Sequence, residues 1–125
     1  MYNEIIMKRF SNPVNAGRMT NHSARGDARQ GVHGDQVRIF LGVNDQGVVD
    51  RAKFKAFGCV VVIAAADVAC DLVIGSVIDK AGMITTFDIA NVLGDIPADK
   101  VGCVNVVLQA LSSAVTDYNK RNARK

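Results

Sequence analysis

Two short runs of alternating apolar and polar residues flank a turn in the middle of the chain. The apolar residues stand at every second position: Val37, Ile39, Leu41 and Val43 before the turn, and Ala52, Phe54 and Ala56 after it. Because side chains alternate between the two faces of a strand, this period buries one face and leaves the other in water. Together with a turn at 44–47 that ends on Gly47, the pattern predicts a β-hairpin.

Helical periodicity is found on both sides of the hairpin. Residues 60–74 are apolar on nearly all sides, which is typical of a buried helix, and Gly75 is a natural end for it. The predicted fold is therefore α+β, a small antiparallel β-sheet with helices packed on one side, in a single domain over 1–125. Four further helices are predicted over 3–10, over 77–81, after the capping pair Thr85-Thr86 and from an N-cap near Asp99.

Residues 12–32 follow neither period. They are polar and rich in Gly, Asn, Arg and His. Pro13 ends the first helix, because proline disfavours the helical conformation in the residue before it. The segment is therefore predicted to be a long loop or an extended arm, with His22 solvated.

The charge and the apolar runs restrict the classes of function. The formal net charge of the 125 residues is +3 and aromatic residues make up 6%, which is unlike the dense basic stripe of a nucleic-acid binder. The longest apolar run, 59–66, is far shorter than the about 20 residues that span a bilayer. No targeting segment is visible at the start of the chain. We expect a cytoplasmic protein that binds neither nucleic acid nor a membrane.

Glycine stands beside a metal-binding side chain at the end of three predicted elements. The chain has three cysteines, an odd number that argues against a disulfide framework. Two of them fall near helix N-termini, where the helix dipole favours the thiolate. Cys70, inside the apolar helix, is predicted to pack in the core. The three sites are His33-Gly34-Asp35, Gly58-Cys59 and Gly102-Cys103.

Composition and spacing alone support only a dispersed set of candidate ligands. The set is His33, Asp35, Cys59 and Cys103, without any CxxC pair or zinc-finger spacing. Two buried cysteines and an ordinary loop histidine would explain the same residues. At this point both interpretations stay open.

A series of motifs resembles the N-terminal scaffold of the IscU/NifU iron–sulfur cluster assembly family over nearly the whole chain. The matching segments are 11–17, 33–35, 43–49, 52–59 and 88–90, followed by Cys103. The resemblance implies that three cysteines, an aspartate and a histidine surround a transient 2Fe–2S cluster or a zinc ion. It also implies that a cysteine desulfurase supplies sulfur as a persulfide and that a chaperone pair helps transfer the cluster to recipient apo iron–sulfur proteins.

Carried over by position, the ligand candidates are His33, Asp35, Cys59 and Cys103, and Cys103 matches the cysteine that accepts sulfur. The resemblance therefore implies an assembly scaffold or cluster carrier rather than an enzyme. Two alternatives stay open: a zinc- or iron-binding protein of the same fold, and a metal-free paralogue that binds and modulates the desulfurase.

The chain departs from the family pattern mainly at functional positions. His33 replaces the first cysteine, and Gly102 replaces the histidine before the third cysteine. Residues 96–100, Ile-Pro-Ala-Asp-Lys, replace the chaperone motif Leu-Pro-Pro-Val-Lys, and the charge of Asp99 argues against the usual chaperone hand-off. Residues 60–66, rich in branched side chains, replace small polar residues and predict a drier pocket. In Rieske-type centres histidine in place of cysteine raises the cluster potential, and we expect the same direction here.

Overall fold

A three-stranded antiparallel sheet forms one layer of the computed structural model, which describes residues 2–30 and 34–123. The strands lie in chain order, β1 (Ala24–Arg29), β2 (Gln36–Val43) and β3 (Val49–Phe57). Strands β2 and β3 are the hairpin that the alternating pattern predicts, with a bulge between Gly42 and Val43. The α+β class is thereby confirmed.

Helices form the second layer and cover the apolar face of the sheet. The long α5 packs against β1 and β2, while α2 packs against β3. Ile39, Leu41 and Phe54 point into this interface and are buried. In the described part of the chain, no helix has both the length and the apolarity needed to cross a membrane. The helices are α1 (Glu4–Ser11), α2 (Val60–Val73), α3 (Ile78–Ala81), α4 (Thr86–Leu93) and α5 (Val101–Ala123).

Local sequence signals place most helix ends correctly. Thr85 is the N-cap of α4 and forms a capping box with Asp88, in which each side chain accepts the other residue's backbone N–H. Gly75 follows α2 with a positive φ of 94°, as expected of the residue that ends a helix. Asp99 does not cap the last helix, because it lies inside a 3-10 turn, Ala98–Lys100, that runs directly into α5.

The prediction of a loop over 12–32 is wrong for β1. This strand alternates small inward residues with charged outward ones, so its apolar period is hidden. Gly26 has no side chain because α5 lies against it: a Cβ there would lie 2.0 Å from the Ala110 carbonyl oxygen and 2.3 Å from the Ala114 nitrogen. A glycine that suggests a loop in the sequence is thus a requirement of close helix–strand packing.

His22 is not solvated, although the polar surroundings in the sequence suggest it. Its ring is half-buried and lies 5.5 Å from the ring of Phe40, measured between centroids. Burial lowers the pKa of His22, and the positive charges of Arg121 and Arg25 lower it further. His22 is therefore neutral at pH 7 and packs as an aromatic residue.

A buried carboxylate joins the N-terminal segment to α2. Asp67 has 0% exposure, and its carboxylate accepts hydrogen bonds from the Arg9 guanidinium at 2.8 Å and from the backbone N–H of Asn15 at 2.8 Å. Arg9 and the Asn15 side chain also bind Asp71. Although burial opposes ionisation, these hydrogen bonds lower the pKa of Asp71 below its usual value. The four side chains hold α1 and the segment after it on α2.

The same segment reaches the edge of the sheet. The backbone oxygen of Asn15 accepts from the N–H of Phe54 at 3.1 Å, and the N–H of Gly17 donates to the Phe54 oxygen at 2.9 Å. Residues 15–17 therefore lie along the outer edge of β3, beside the strand that leads to Cys59.

Replacing Arg9 by Leu is predicted to destabilise the fold by about 3 kcal/mol, because the buried Asp67 carboxylate loses its ionic partner. Urea unfolding followed by circular dichroism measures the change. The matched control is Lys8→Leu, which removes an exposed cation from the neighbouring position of α1. A loss in Arg9→Leu no larger than that in the control would contradict the role given to this ion pair.

Candidate metal centre

Three of the four candidate ligands meet at one end of the sheet. Asp35 directly precedes β2, and Cys59 follows β3 after Gly58. Because Gln36 at the start of β2 pairs with Phe57 at the end of β3, the residues beyond this pair emerge side by side. Cys59 is also the N-cap residue of α2, and Cys103 lies in the first turn of α5. Four elements thus end or begin around one small volume.

The distances in this volume suit a single metal ion. The sulfur atoms of Cys59 and Cys103 are 3.0 Å apart, and the Cys59 sulfur lies 3.9 Å from Asp35 Oδ2. One ligand atom from each of the three residues lies within 4.8 Å of the others. Two sulfurs and a carboxylate oxygen are donors that both zinc and iron accept. The donor set therefore fits a metal ion.

His33 lies outside the described residues, so its place as a fourth ligand stays a prediction. Cys70 is buried in α2 among core residues, which confirms its predicted packing role. Burial, followed by the charges of Asp67 and Asp71, raises the pKa of the Cys70 thiol. Cys70 is therefore an uncharged core residue and contributes nothing to the three-ligand cluster.

Gly58 is required by the position of Asp35. The N–H of Cys59 donates to Asp35 Oδ1 at 3.0 Å, which brings the carboxylate against the Gly58 backbone. A Cβ at Gly58 would lie 2.0 Å from that oxygen, and its φ of 149° is one that other residues rarely adopt. Glycine before Cys59 thus lets the carboxylate and the thiol share one side of the site.

The thiol of Cys103 is held in its protonated form. Burial is the largest cause that raises its pKa, and its hydrogen bonds and negative neighbours, Cys59 and Asp35, raise it further. The prediction that the helix N-terminus would favour the Cys103 thiolate is therefore wrong for the metal-free site. A thiolate at Cys103 would be a buried negative charge beside Cys59 and Asp35, and a bound cation would offset that charge and favour loss of the proton.

Two further residues with nitrogen groups, Lys100 and Gln30, interact with the site or with its neighbouring residues. The pKa of Lys100 is raised by Tyr2, then by Cys59, Asp99 and Cys103, so its positive charge interacts favourably with negative charge on the site cysteines. A Cβ at Gly102 would lie 3.8 Å from Gln30 Nε2, an ordinary contact distance. The backbone N–H of Gln30 in turn donates to the backbone carbonyl oxygen of Asp35 at 2.9 Å. Gln30 could not be recognised from the sequence, because it belongs to no motif.

The fold and the site define a small scaffold domain that gathers thiol and carboxylate ligands where strands and helices meet. The family model described as NifU-like N terminal domain matches residues 1–125. The chain belongs to this family.

Curated relatives match over almost the full chain. The iron–sulfur cluster assembly scaffold protein IscU 1 of Archaeoglobus fulgidus is 33% identical, over 99% of this chain and 80% of its own length. The iron–sulfur cluster assembly scaffold protein IscU of Escherichia coli K12 is 31% identical, over 99% of this chain and 98% of its own length. These relatives are named as scaffolds and not as enzymes.

Solved structures share the fold at lower identity. A SUF-system scaffold protein from Fervidobacterium islandicum superposes with a TM-score of 0.74 at 22% identity, covering 91% of this chain and 96% of the other. A NifU-like N-terminal protein from Brucella abortus gives 0.73 at 17% identity, covering 95% and 94%. At these identities the structures support the fold alone.

Replacing Gly58 by Ala is predicted to weaken cobalt(II) binding by about tenfold or more, because the new Cβ displaces the Asp35 carboxylate. Titration followed by the sulfur-to-cobalt charge-transfer absorption measures it. The control is Gly47→Ala, which also has a positive φ, 76°, but has no neighbouring atom within 4 Å of the new Cβ. Equal cobalt affinity in the two variants would mean that Asp35 takes no part in the site.

Proposed function

We propose that this chain is an iron–sulfur cluster assembly scaffold that holds a 2Fe–2S cluster, or the iron for one, at His33, Asp35, Cys59 and Cys103. Family membership and the names of the relatives support the general role. The observation that carries the proposal is the meeting of two thiols and a carboxylate from three distant segments. The cluster is cargo that passes through the site.

The metal-free geometry supports transient binding. Asp35 is held by the Cys59 N–H, which pre-orders the carboxylate before any ion arrives. The raised pKa of Cys103 makes ion binding and proton release one coupled event. A site that must release a proton to bind its cargo can take one up again when the cargo leaves. This coupling weakens retention, which suits a scaffold better than a resident cofactor site.

We assign sulfur acceptance to Cys103. In this step the Cys103 thiol loses its proton and the resulting thiolate attacks the outer sulfur of a persulfide on a cysteine desulfurase. A new S–S bond forms on Cys103, the S–S bond of the desulfurase breaks, and the departing desulfurase thiolate takes up the proton. Cys59 and Cys103 are among the groups that raise the pKa of Lys100, and by the same interaction its positive charge favours the attacking thiolate. The proposed partners are a cysteine desulfurase and recipient apo iron–sulfur proteins, and the charge of Asp99 argues against the usual chaperone hand-off.

Zinc or iron binding without cluster assembly is the second candidate function. It is favoured by the mixed donor set, because sulfur, oxygen and nitrogen ligands together suit tetrahedral zinc. Iron, zinc and acid-labile sulfide measured together on anaerobically reconstituted protein separate the candidates. Stoichiometric zinc that excludes iron and sulfide would favour the second function.

Alanine at Cys59 or Cys103 is predicted to abolish reconstitution with iron, sulfide and a cysteine desulfurase, since each removes one of two thiolate ligands. Acid-labile sulfide and visible absorbance are the measurements. Cys70→Ala is the control, because it makes the same substitution at a cysteine that is buried in the core. Sulfide content in either ligand variant equal to that of Cys70→Ala would refute the site.

Histidine at Gly102 is predicted to restore a nitrogen ligand and raise zinc affinity by about tenfold or more. The position accepts a side chain, because its Cβ would meet only Gln30 at ordinary distance. Competition with a chromogenic chelator measures the affinity. Gly102→Phe, of similar size but without a donor atom, is the control. A zinc affinity of Gly102→His no higher than that of the phenylalanine variant would contradict this prediction.

A further inference from the structure

The face of the sheet that points away from the helices is strongly basic. We call this the outer sheet face, formed by the outward residues of β1, β2 and β3. The face has two acidic residues. Asp27 lies on β1, and Asp50 lies beside Arg51 near the bulge at the start of β3. The outward basic residues are Arg25, Arg29, Arg38, Arg51, Lys53 and Lys55. With six basic and two acidic residues, the net positive charge of this face is larger than the formal net charge of the whole chain, which is +3.

Ion pairs within the face leave part of this charge unneutralised. Asp27 binds Arg38 at 2.6 Å and Arg25 at 3.3 Å, so one carboxylate serves two cations. Arg29, Lys53 and Lys55 make no ion pair within the described residues. Arg29 and Lys55 are also exposed. Exposed cations concentrated on one surface create a positive potential that attracts an acidic macromolecule.

The outer sheet face has a hollow at the end nearest the thiols. The register places Asp27, Arg38 and Lys55 in one row and Arg29, Gln36 and Phe57 in the next. These two rows line an open hollow of about 700 Å³. Phe57 is 74% exposed and is followed directly by Gly58 and Cys59. A partner seated in this hollow would have its edge beside the candidate metal centre.

We propose that the outer sheet face is a docking surface for an acidic recipient protein that takes up the cluster from the thiol site. Opposite charge supplies long-range attraction, and Phe57 supplies the apolar contact that fixes the partner. The identity of the cargo rests on the proposed function, while the docking itself does not.

The aromatic residues favour a protein over a nucleic acid as the occupant. Single-stranded nucleic acids bind sheets through exposed rings on which successive bases stack. Phe40, in the middle of the outer sheet face, is only 5% exposed and lies against His22. Phe57 stands alone at the strand end, so the face has no row of stacking rings. Asp27, which lies between Arg25 and Arg29 on β1, also opposes a phosphate backbone.

Binding of the apo form of an acidic 2Fe–2S ferredoxin to the cluster-free protein tests the proposal, by calorimetry at low and high salt. The double variant Arg29→Glu/Lys55→Glu is expected to weaken binding by about tenfold or more. The matched control, Lys8→Glu/Lys80→Glu, makes the same change in net charge at exposed positions off the sheet. We expect the control to keep the parent affinity, and the parent to lose affinity as salt rises.

Three results would overturn the docking surface: no binding by the parent at low salt, equal losses in the two double variants, or tighter binding of a short single-stranded oligonucleotide that the sheet variant also loses. Thermal unfolding of each variant shows whether it is folded. If the charge-reversal variant is not, Arg29→Gln/Lys55→Gln replaces it, and an affinity between those of the parent and the reversal is expected. Sulfide content after reconstitution separates the scaffold function from the docking surface. If the scaffold function is wrong, no sulfide is retained, while the cluster-free protein still binds ferredoxin.

Discussion

The close contact between α5 and β1 fixes where Cys103 lies. Gly26 lets the backbone of α5 at Ala110 and Ala114 approach the strand far more closely than any side chain would allow. Cys103 stands about two turns, or roughly 10 Å, before Ala110 on the same rigid helix. The distance of 3.0 Å between its sulfur and that of Cys59 is therefore set by packing in the middle of the domain. The packing of α5 against β1 therefore determines the position of the Cys103 ligand in the metal site.

Electrostatics at the site opposes what packing achieves. Two thiols and a carboxylate are brought together where burial disfavours charge, and the raised pKa of Cys103 is the result. The hydrogen bond from the Cys59 N–H to Asp35 relieves only part of this repulsion. A bound cation would neutralise the negative charge of the site, because all three ligands can coordinate it at once. By the same logic, a neutral imidazole from His33, whose place in the site stays a prediction, would add a ligand without adding negative charge.

Local patterns in the sequence were sufficient for the hairpin, the buried α2 and the capped α4. They failed for β1, because its inward residues are Ala and Gly, whose small size follows from the proximity of α5 and not from a hydrophobic period. The polarity around His22 was misleading for a similar reason, since its partner Phe40 is distant in the chain. Contacts between distant segments decide both features.

The residue pattern alone named the candidate ligands as a dispersed set. Only the family resemblance assigned Asp35, Cys59 and Cys103 to one site, because no local spacing brings them together. The protonation of Cys103 was predicted with the wrong sign, because the helix position visible in the sequence favours a thiolate while the burial that decides the outcome is tertiary. Gln30 beside Gly102 was missed entirely, since its contact depends on how α5 meets the end of β1.

The short segment that Asp67 holds in place also protects the domain from its own strands. An exposed sheet edge offers unpaired backbone groups to any passing chain and is a common start of aggregation. On β3, residues 15–17 occupy the edge at Phe54, and Ser76 and Gly75 occupy it at Val49. A strand from another molecule would find no long run of free donors and acceptors there. The buried carboxylate in α2 thus contributes to shielding this edge of the sheet from pairing with a strand of another molecule.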